Sequence, residues 1–450
     1  MTELQSVILK ARRLVVPGPE EQARLERVAE KVVQKTEAAS GPFREVRGVV
    51  LGGSFAKGTW LPAAGPDANA DIDVFVKIAS EVDEARFESI GLRVGRDASR
   101  GYRHGKKYAQ HPYTEAMVEG VKVNIVPCYD VEPGQWKSAA DRSPYHVEFV
   151  KRNLDEEKRT QVRLLKRFMK AVGVYGAEIE NEGFSGYAAE VLTHNQGSFE
   201  GVLRFFAGLR PVDEETLLSL KDPIDDHREL ARAISRETVA RMMLASRSFL
   251  ERPELAYFTG LRRNRERKTR RALVERLYVL RFEHRKLSED TLWGELKKST
   301  KQLVRHIEER GFEIIRASAV SDNSDRSAIV LLPETDRLPV LEERVGPGVE
   351  MSAEVKRFLS KNRGRSELVW AGGDGRVHIL QKREHTELGG LLAEVCGPGV
   401  DGVGVPREIA SSIRRSGRIV SGKGVGEEAS KEGWLGRGIE ALVTDTIGTD

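Results

Sequence analysis

Residues 51–77, LGGSFAKGTWLPAAGPDANADIDVFVK, constrain this chain more than any other stretch. The apolar run Val49, Val50, Leu51 reads as a strand that breaks at Gly52-Gly53 and leaves Ser54 where a helix begins. Such a bend seats an anion. A glycine pair lets backbone approach closely, and the free N–H groups of a helix start, with a hydroxyl beside them, favour negative charge. Farther on, Asp71-Ile72-Asp73-Val74-Phe75-Val76 alternates polar and apolar, so a strand there projects both carboxylates from one face. Two carboxylates about 7 Å apart at Cα can share a divalent cation. A Gly-Gly-Ser turn alone is ordinary loop chemistry, and an Asp-x-Asp pair alone is more often a solvated strand face. Their order carries the information: a phosphate seat after one strand, a metal pair on the next.

A chain of 450 residues holds about two to four domains with ample core. Its 39% hydrophobic and 32% charged residues fit a soluble globular protein and argue against disorder. No apolar run reaches membrane-spanning length, and MTELQSVILKARR lacks a signal-peptide layout, so no membrane role and a cytoplasmic location are expected. Cys128 and Cys396 are too few for a disulfide framework or a cysteine zinc site. The formal charge of +4 demands no polyanionic partner, but Arg262, Arg263, Arg265, Arg267, Lys268, Arg270 and Arg271 stand against Glu266 alone. That segment is either a solvated loop between domains or a contact for nucleic-acid phosphates.

Periodicity predicts an amphipathic helix over 20–36, with Leu25, Val28, Ala29, Val32 and Val33 on one stripe. A helical segment around Phe87, Ile90 and Leu92 follows the motif strand, then a basic polar stretch over 96–107, then a strand over 121–126 beside that of Asp71 and Asp73. Val162, Leu165, Phe168, Met169 and Val172 mark a strong helix ending at Gly173. Lys166 falls near its apolar stripe, where a lysine usually snorkels. A helical run is expected from 187 to 206 and another from 222 to 250. Beyond lie a strand over 272–282, a helix over 287–310, strands near 312–318 and 328–332, a short helix over 355–359, and two strands joined by Gly372-Gly373-Asp374-Gly375. After Gly397 the glycine-rich chain is expected to be loosely ordered as far as Trp434.

The Gly-Gly-Ser and Asp-x-Asp pair resembles the motif of the DNA polymerase beta-like nucleotidyltransferases. Within that superfamily the chain looks like an archaeal-type (class I) CCA-adding enzyme. The likeness is carried by Gly52-Gly53-Ser54 with Thr59-Trp60-Leu61, Asp71/Asp73, Gln110-His111-Pro112-Tyr113, Asn124-Ile125-Val126-Pro127-Cys128-Tyr129 and Ala140-Asp141-Arg142-Ser143-Pro144. It continues through Val162-Arg163-Leu164-Leu165-Lys166, Tyr175-Gly176-Ala177-Glu178, Gly183-Phe184-Ser185-Gly186-Tyr187, Asp222-Pro223 and the 356–363 segment KRFLSKNR, and is faint after about residue 385.

The resemblance implies an α+β multidomain fold: a nucleotidyltransferase head with a mixed or antiparallel sheet (1–143), a helical neck that binds nucleotide and the tRNA end (144–260), and an α+β body and tail for the acceptor arm (261–450). It implies addition of C, C and A to a tRNA 3′ end from CTP and ATP without a template, using Mg²⁺, and a homodimer. Carried over residue by residue, Asp71 and Asp73 hold metal, with Asn124 completing the catalytic set. Gly53, Ser54, Lys57, Ser143, Lys166 and Tyr175 lie on the nucleotide's phosphates, His111 near its sugar and triphosphate, and Arg228 at its base. Arg262, Arg263, Arg265, Lys361 and Arg363 are the expected tRNA contacts. At 124 the superfamily usually places a third carboxylate; an amide oxygen can coordinate a cation but brings no charge. Two alternatives follow, another nucleotidyltransferase such as a poly(A) polymerase, or a tRNA-binding protein without turnover.

Overall fold

The computed structural model describes residues 2–62, 71–211, 213, 216–260 and 267–443, with backbone alone for 267–270. The chain divides into two compact units, Met1–Arg263 and Asn264–Thr444.

In the first unit, α1 (Glu3–Val15) and α2 (Pro19–Ser40) precede a sheet. Helix α1 was not expected from the sequence; a capping box between Thr2 and Gln5 starts it. The sheet segment then runs β1 (Val46–Gly52), α3 (Gly53–Ala56), β2 (Ile72–Ala79), α4 (Glu84–Ala98), β3 (Arg103–Tyr108), β4 (Pro112–Val118) and β5 (Val121–Asp130). Its order is β1-β2-β5-β4-β3, with β2 and β5 parallel and the other pairs antiparallel. Ile72, Val74, Val76, Val123 and Ile125 pack in one core with Leu25 and Val28 of α2 and Phe87, Ile90 and Val94 of α4. Strand β3 occupies the basic stretch that carried no strand signal. Every residue of it is exposed and it pairs only with β4, so no apolar alternation marks it.

The rest of this unit is α5 (Ser143–Asn153), α6 (Glu156–Val172), α7 (Gly186–Gln196), α8 (Phe199–Gly208), a ribbon of β6 (Lys221–Asp222) and β7 (Asp225–Glu229), α9 (Arg236–Glu251) and α10 (Ala256–Thr259). Left-handed Gly173 ends α6, as the sequence predicts, and Asp155 caps its start. Phe168, Phe199, Phe249 and Phe258, all fully buried, centre a core to which α1 contributes Val7, Ala11 and Val15. The helix expected from Asp222 starts only at Arg236, capped by Ser235. The intervening residues turn instead, because the side chains of Asp222 and Asp225 accept from the backbone N–H groups of Ile224 and His227.

The second unit runs α11 (Arg267–Val274), β8 (Tyr278–Glu283), α12 (Glu289–Glu308), β9 (Ile314–Ser321), β10 (Arg326–Pro333), β11 (Leu341–Gly348), α13 (Ser352–Asn362), β12 (Ser366–Ala371), β13 (Arg376–Lys382), α14 (Leu388–Val395), α15 (Arg407–Ser416), β14 (Arg418–Ser421), α16 (Lys423–Lys431) and α17 (Gly433–Val443). Two antiparallel sheets form, β14-β8-β10-β9 and β11-β13-β12. The larger is buried on both faces: Leu280, Phe282, Ile329 and Leu331 join one core, Val279, Ala328 and Val330 the other. The strand expected over 272–282 is shorter, since the chain is helical to Val274. The glycine-rich end is ordered through Val443, contrary to expectation. Val425, Trp434, Leu435, Ile439 and Leu442 bury against Leu277 and Val279, and that apolar spacing outweighs the helix cost of the glycines. The expected α+β multidomain organisation is the one that forms. No described helix is long and apolar enough to cross a membrane.

Candidate active site

Strand register assembles the centre of the site. Gly52 at the end of β1 pairs with Asp73 of β2, and Asp73 pairs with Asn124 of β5. Gly53, with φ +65°, then turns the chain into α3, and Ser54 sits in its first turn. A Cβ on Gly53 would lie 1.9 Å from Asp73 Oδ2, so only glycine lets the bend close over that carboxylate. Asn124 Nδ2 donates to Asp73 Oδ1 at 2.9 Å, and Lys122 Nζ lies 2.8 Å from Asp71 Oδ2. Burial pushes the Asp73 carboxyl up, partly offset by the Asn124 bond, with the charge of Asp71 pushing the same way as burial and Lys57 and Lys122 opposing it.

These residues suit a divalent cation. Asn124 Oδ1 is a buried acceptor without a hydrogen-bond partner, beside a carboxylate whose ionised form burial disfavours. A cation at Asp71 and Asp73, with that amide oxygen as a neutral ligand, satisfies both. On the other side of Asn124, register pairs it with Glu115 of β4, and Lys107 Nζ lies 3.8 Å from Glu115.

The lysines converge below the bend. Lys57 Nζ donates to Glu190 Oε2 of α7 at 2.8 Å and stands 5.2 Å from the Tyr187 ring centroid. Lys166 is buried, and its ammonium reaches Glu190 Oε1 (2.8 Å), Thr59 Oγ1 (3.0 Å) and the Thr59 carbonyl (3.2 Å). Those partners use all three donors, so Lys166 is not a snorkelling side chain, and a phosphate contact requires exchanging one of them. The Tyr175 hydroxyl lies against the same helix start, where a Cβ on Gly186 would be 2.9 Å from it and 3.4 Å from Lys166 Nζ. Burial pushes the Tyr175 phenol up, keeping it a neutral donor.

A second carboxylate organises the ribbon. Asp222, buried, accepts from Arg228 (3.0 Å) and Tyr187 (3.0 Å), and His146 Nε2 lies 3.2 Å away with its ring stacked on Tyr187. Ser143 opens α5 next to Arg142, which donates to Asp225 at 2.7 Å. The structure therefore brings Gly53, Ser54, Lys57, Asp71, Asp73, Asn124, Lys166, Tyr175 and Arg228 into one connected region of the first unit, and Ser143 follows directly on the Arg142 that pairs with Asp225 of the ribbon. His111 sits on α4's side, its Nδ1 3.3 Å from Glu88 and 3.6 Å from Glu84, its ring edge-on to Phe87. Lys361 and Arg363 are exposed at the end of α13 in the second unit. Arg262, Arg263 and Arg265, and residues 63–70 of the motif loop, lie outside the described residues. Sequence reasoning missed Glu190, Tyr187 and His146 as parts of the site. A lone glutamate in the apolar run Tyr187-Ala188-Ala189-Glu190-Val191-Leu192 was the available signal for the first.

Comparison with known proteins matches residues 25–146 to the nucleotidyltransferase domain family, 160–259 to the second domain of tRNA nucleotidyltransferases, and 275–422 to the C-terminal domain of CCA-adding enzymes. The CCA-adding enzyme of Pyrobaculum neutrophilum is 36% identical over 417 residues, 89% of this chain and 95% of that one. That of Methanopyrus kandleri is 32% identical over 482 residues, 97% of this chain and 96% of that one. A solved structure of the Cid1 poly(U) polymerase superposes with TM-score 0.44 at 13% identity, over 58% of this chain and 99% of that one.

Proposed function

The chain belongs to the CCA-adding enzyme family, and from that premise we propose that it adds C, C and A to tRNA 3′ ends from CTP and ATP by nucleotidyl transfer at the Gly53–Asp73–Asn124 centre. The observation that carries the site assignment is the register that sets the glycine bend, Asp73 and Asn124 side by side on three adjacent strands.

In this reading Asp71 and Asp73 hold the divalent cation, which we assign as Mg²⁺, and Asn124 Oδ1 is its neutral partner. When bound, such ions acidify the attacking 3′-hydroxyl and neutralise the pyrophosphate leaving group. The protein's own share is positioning and electrostatics, since phosphoryl transfer asks for little acid–base chemistry from side chains. The backbone N–H groups of the bend and the Ser54 hydroxyl orient the triphosphate. Lys57 supplies positive charge at the seat, with Lys166 and Tyr175 behind it. Arg228, steadied by Asp222, presents guanidinium donors to the base edge. Asn124 donates to one Asp73 oxygen and leaves the other facing the bend. Lys361, Arg363 and the 262–271 segment bind tRNA phosphates.

The test is extension of transcripts lacking CCA with CTP alone, ATP alone and both. Three added nucleotides with both, and none with Asp73→Ala, are expected. Unchanged extension by that variant sinks the site assignment; homopolymer tails from ATP alone on any RNA point to a poly(A) polymerase.

A further inference from the structure

Glu190 has no role in the chemistry above, yet it is a fully buried carboxylate that three groups from two distant segments converge on. Lys57 and the Thr59 hydroxyl come from the turn after α3, and Lys166 comes from α6. Burying one carboxylate with two ammonium groups leaves a net positive charge inside the protein, which is costly unless something anionic sits nearby. The turn that carries Lys57 is also the turn that carries Ser54: the Thr59 N–H donates to the Ser54 carbonyl at 3.0 Å and the Gly58 N–H to that of Phe55 at 3.0 Å. Whatever fixes Thr59 and Lys57 therefore fixes the phosphate seat. Glu190 and Tyr187 lie one turn apart on α7, so they face the same way. Tyr187 places its ring near the Lys57 ammonium while its hydroxyl bonds Asp222, the partner of Arg228.

We propose that Glu190 is a positioning residue for nucleotide binding: anchored by Lys166 through one oxygen, it holds Lys57 with the other on the triphosphate side of the bend, and the excess positive charge of the triad is completed by the incoming triphosphate. This inference rests on the proposed nucleotidyl transfer. Its consequence is that Glu190 acts on nucleotide affinity through Lys57 and not through the stability of α7. The carboxylate's own environment agrees: burial pushes it up, but the charges of Lys166 and Lys57 hold it down at about 2, so it stays an anion under any assay condition.

The experiment is a double-mutant cycle on KM, with Glu190→Gln, Lys57→Met and the two combined, read with CCA-less tRNA for CTP and for ATP, and with Tm measured on each protein. Glu190→Gln is expected to raise both nucleotide KM values about tenfold, the loss of one well-placed charge-assisted contact, with kcat changed far less. In the Lys57→Met background the same substitution is expected to raise KM no further. Wild-type KM values for Glu190→Gln, or effects of the two substitutions that simply multiply, overturn the proposal. If Glu190→Gln alone does not yield folded protein, Glu190→Asp keeps the charge but shortens its reach, and it is read in the wild-type and Lys57→Met backgrounds in the same way. KM raised in the first background and not in the second supports the proposal; any other pattern overturns it. Failure of the wild-type protein to extend tRNA refutes the nucleotidyl-transfer reading itself, a result separate from any of these.

Discussion

Asn124→Asp separates a metal-binding carboxylate pair from a plain strand face. In the present structure the Asn124 amide donates to Asp73 Oδ1 at 2.9 Å. The substitution deletes that bond and sets two carboxylate oxygens in its place. Charges at such a distance repel by about 4 kcal/mol or more at an effective dielectric near 20. The pair limits this by retaining a proton, at about 1.4 kcal/mol for each pH unit above its ordinary titration. At pH 8 that proton costs about 5–6 kcal/mol, so the repulsion sets the loss: about 4 kcal/mol is expected without divalent metal, or a Tm lower by roughly 8–16 °C at 2–4 °C per kcal/mol. A carboxyl whose folded-state pKa is raised stabilises below its unfolded pKa and loses that stability as pH rises, so the deficit should shrink towards pH 5. A divalent cation that binds only the folded protein at 100 times its Kd returns about 2.7 kcal/mol. Scanning fluorimetry in EDTA and in Mg²⁺ measures both effects, and extension by the variant should at least match wild type. A Tm unchanged in EDTA, or a deficit that metal does not relieve, refutes the argument that residue 124 faces Asp73 across a cation site.

Gly53→Ala should be poorly tolerated. The left-handed backbone costs about 1–2 kcal/mol and the new methyl group, 1.9 Å from Asp73 Oδ2, displaces that carboxylate, so extension should fall by about 100-fold while the sheet still forms; wild-type activity counts against the site geometry. Replacing Arg262, Arg263 and Arg265 by glutamate should weaken tRNA binding and lower the slope of log affinity against log salt by about 2–3, and unaltered binding restores the solvated-loop reading. Glu190 titrates at about 2 in the folded protein, so the stability it confers is complete above about pH 4.5 and is lost as pH falls through 2. That is worth about 3 kcal/mol, and acid unfolding of Glu190→Gln should lack this component; identical acid transitions would show the carboxylate to be uncoupled from its lysines.

What lies close in sequence was legible from sequence. The glycine bend and Asp-x-Asp strand, the helix ending at Gly173, and the hairpin at 372–375 all depend on residues within a few positions of one another, where backbone sterics and side-chain period decide the outcome. The fully exposed β3 and the turns at Asp222 and Asp225 escaped because apolar period is the signal that sequence reading uses, and an edge strand or a side-chain-stapled ribbon has none. The order in the glycine-rich end escaped because composition stood in for packing. Only the tertiary structure decided the charge pairings. Lys57 and Glu190 are 133 residues apart, Lys166 and Glu190 24, and Asp73 and Asn124 51. The sequence alone determined which groups were available and which local shapes carry them. Which carboxylate meets which lysine was settled by strand order and helix packing, because a buried charge takes its partner from whatever the fold places within hydrogen-bond reach.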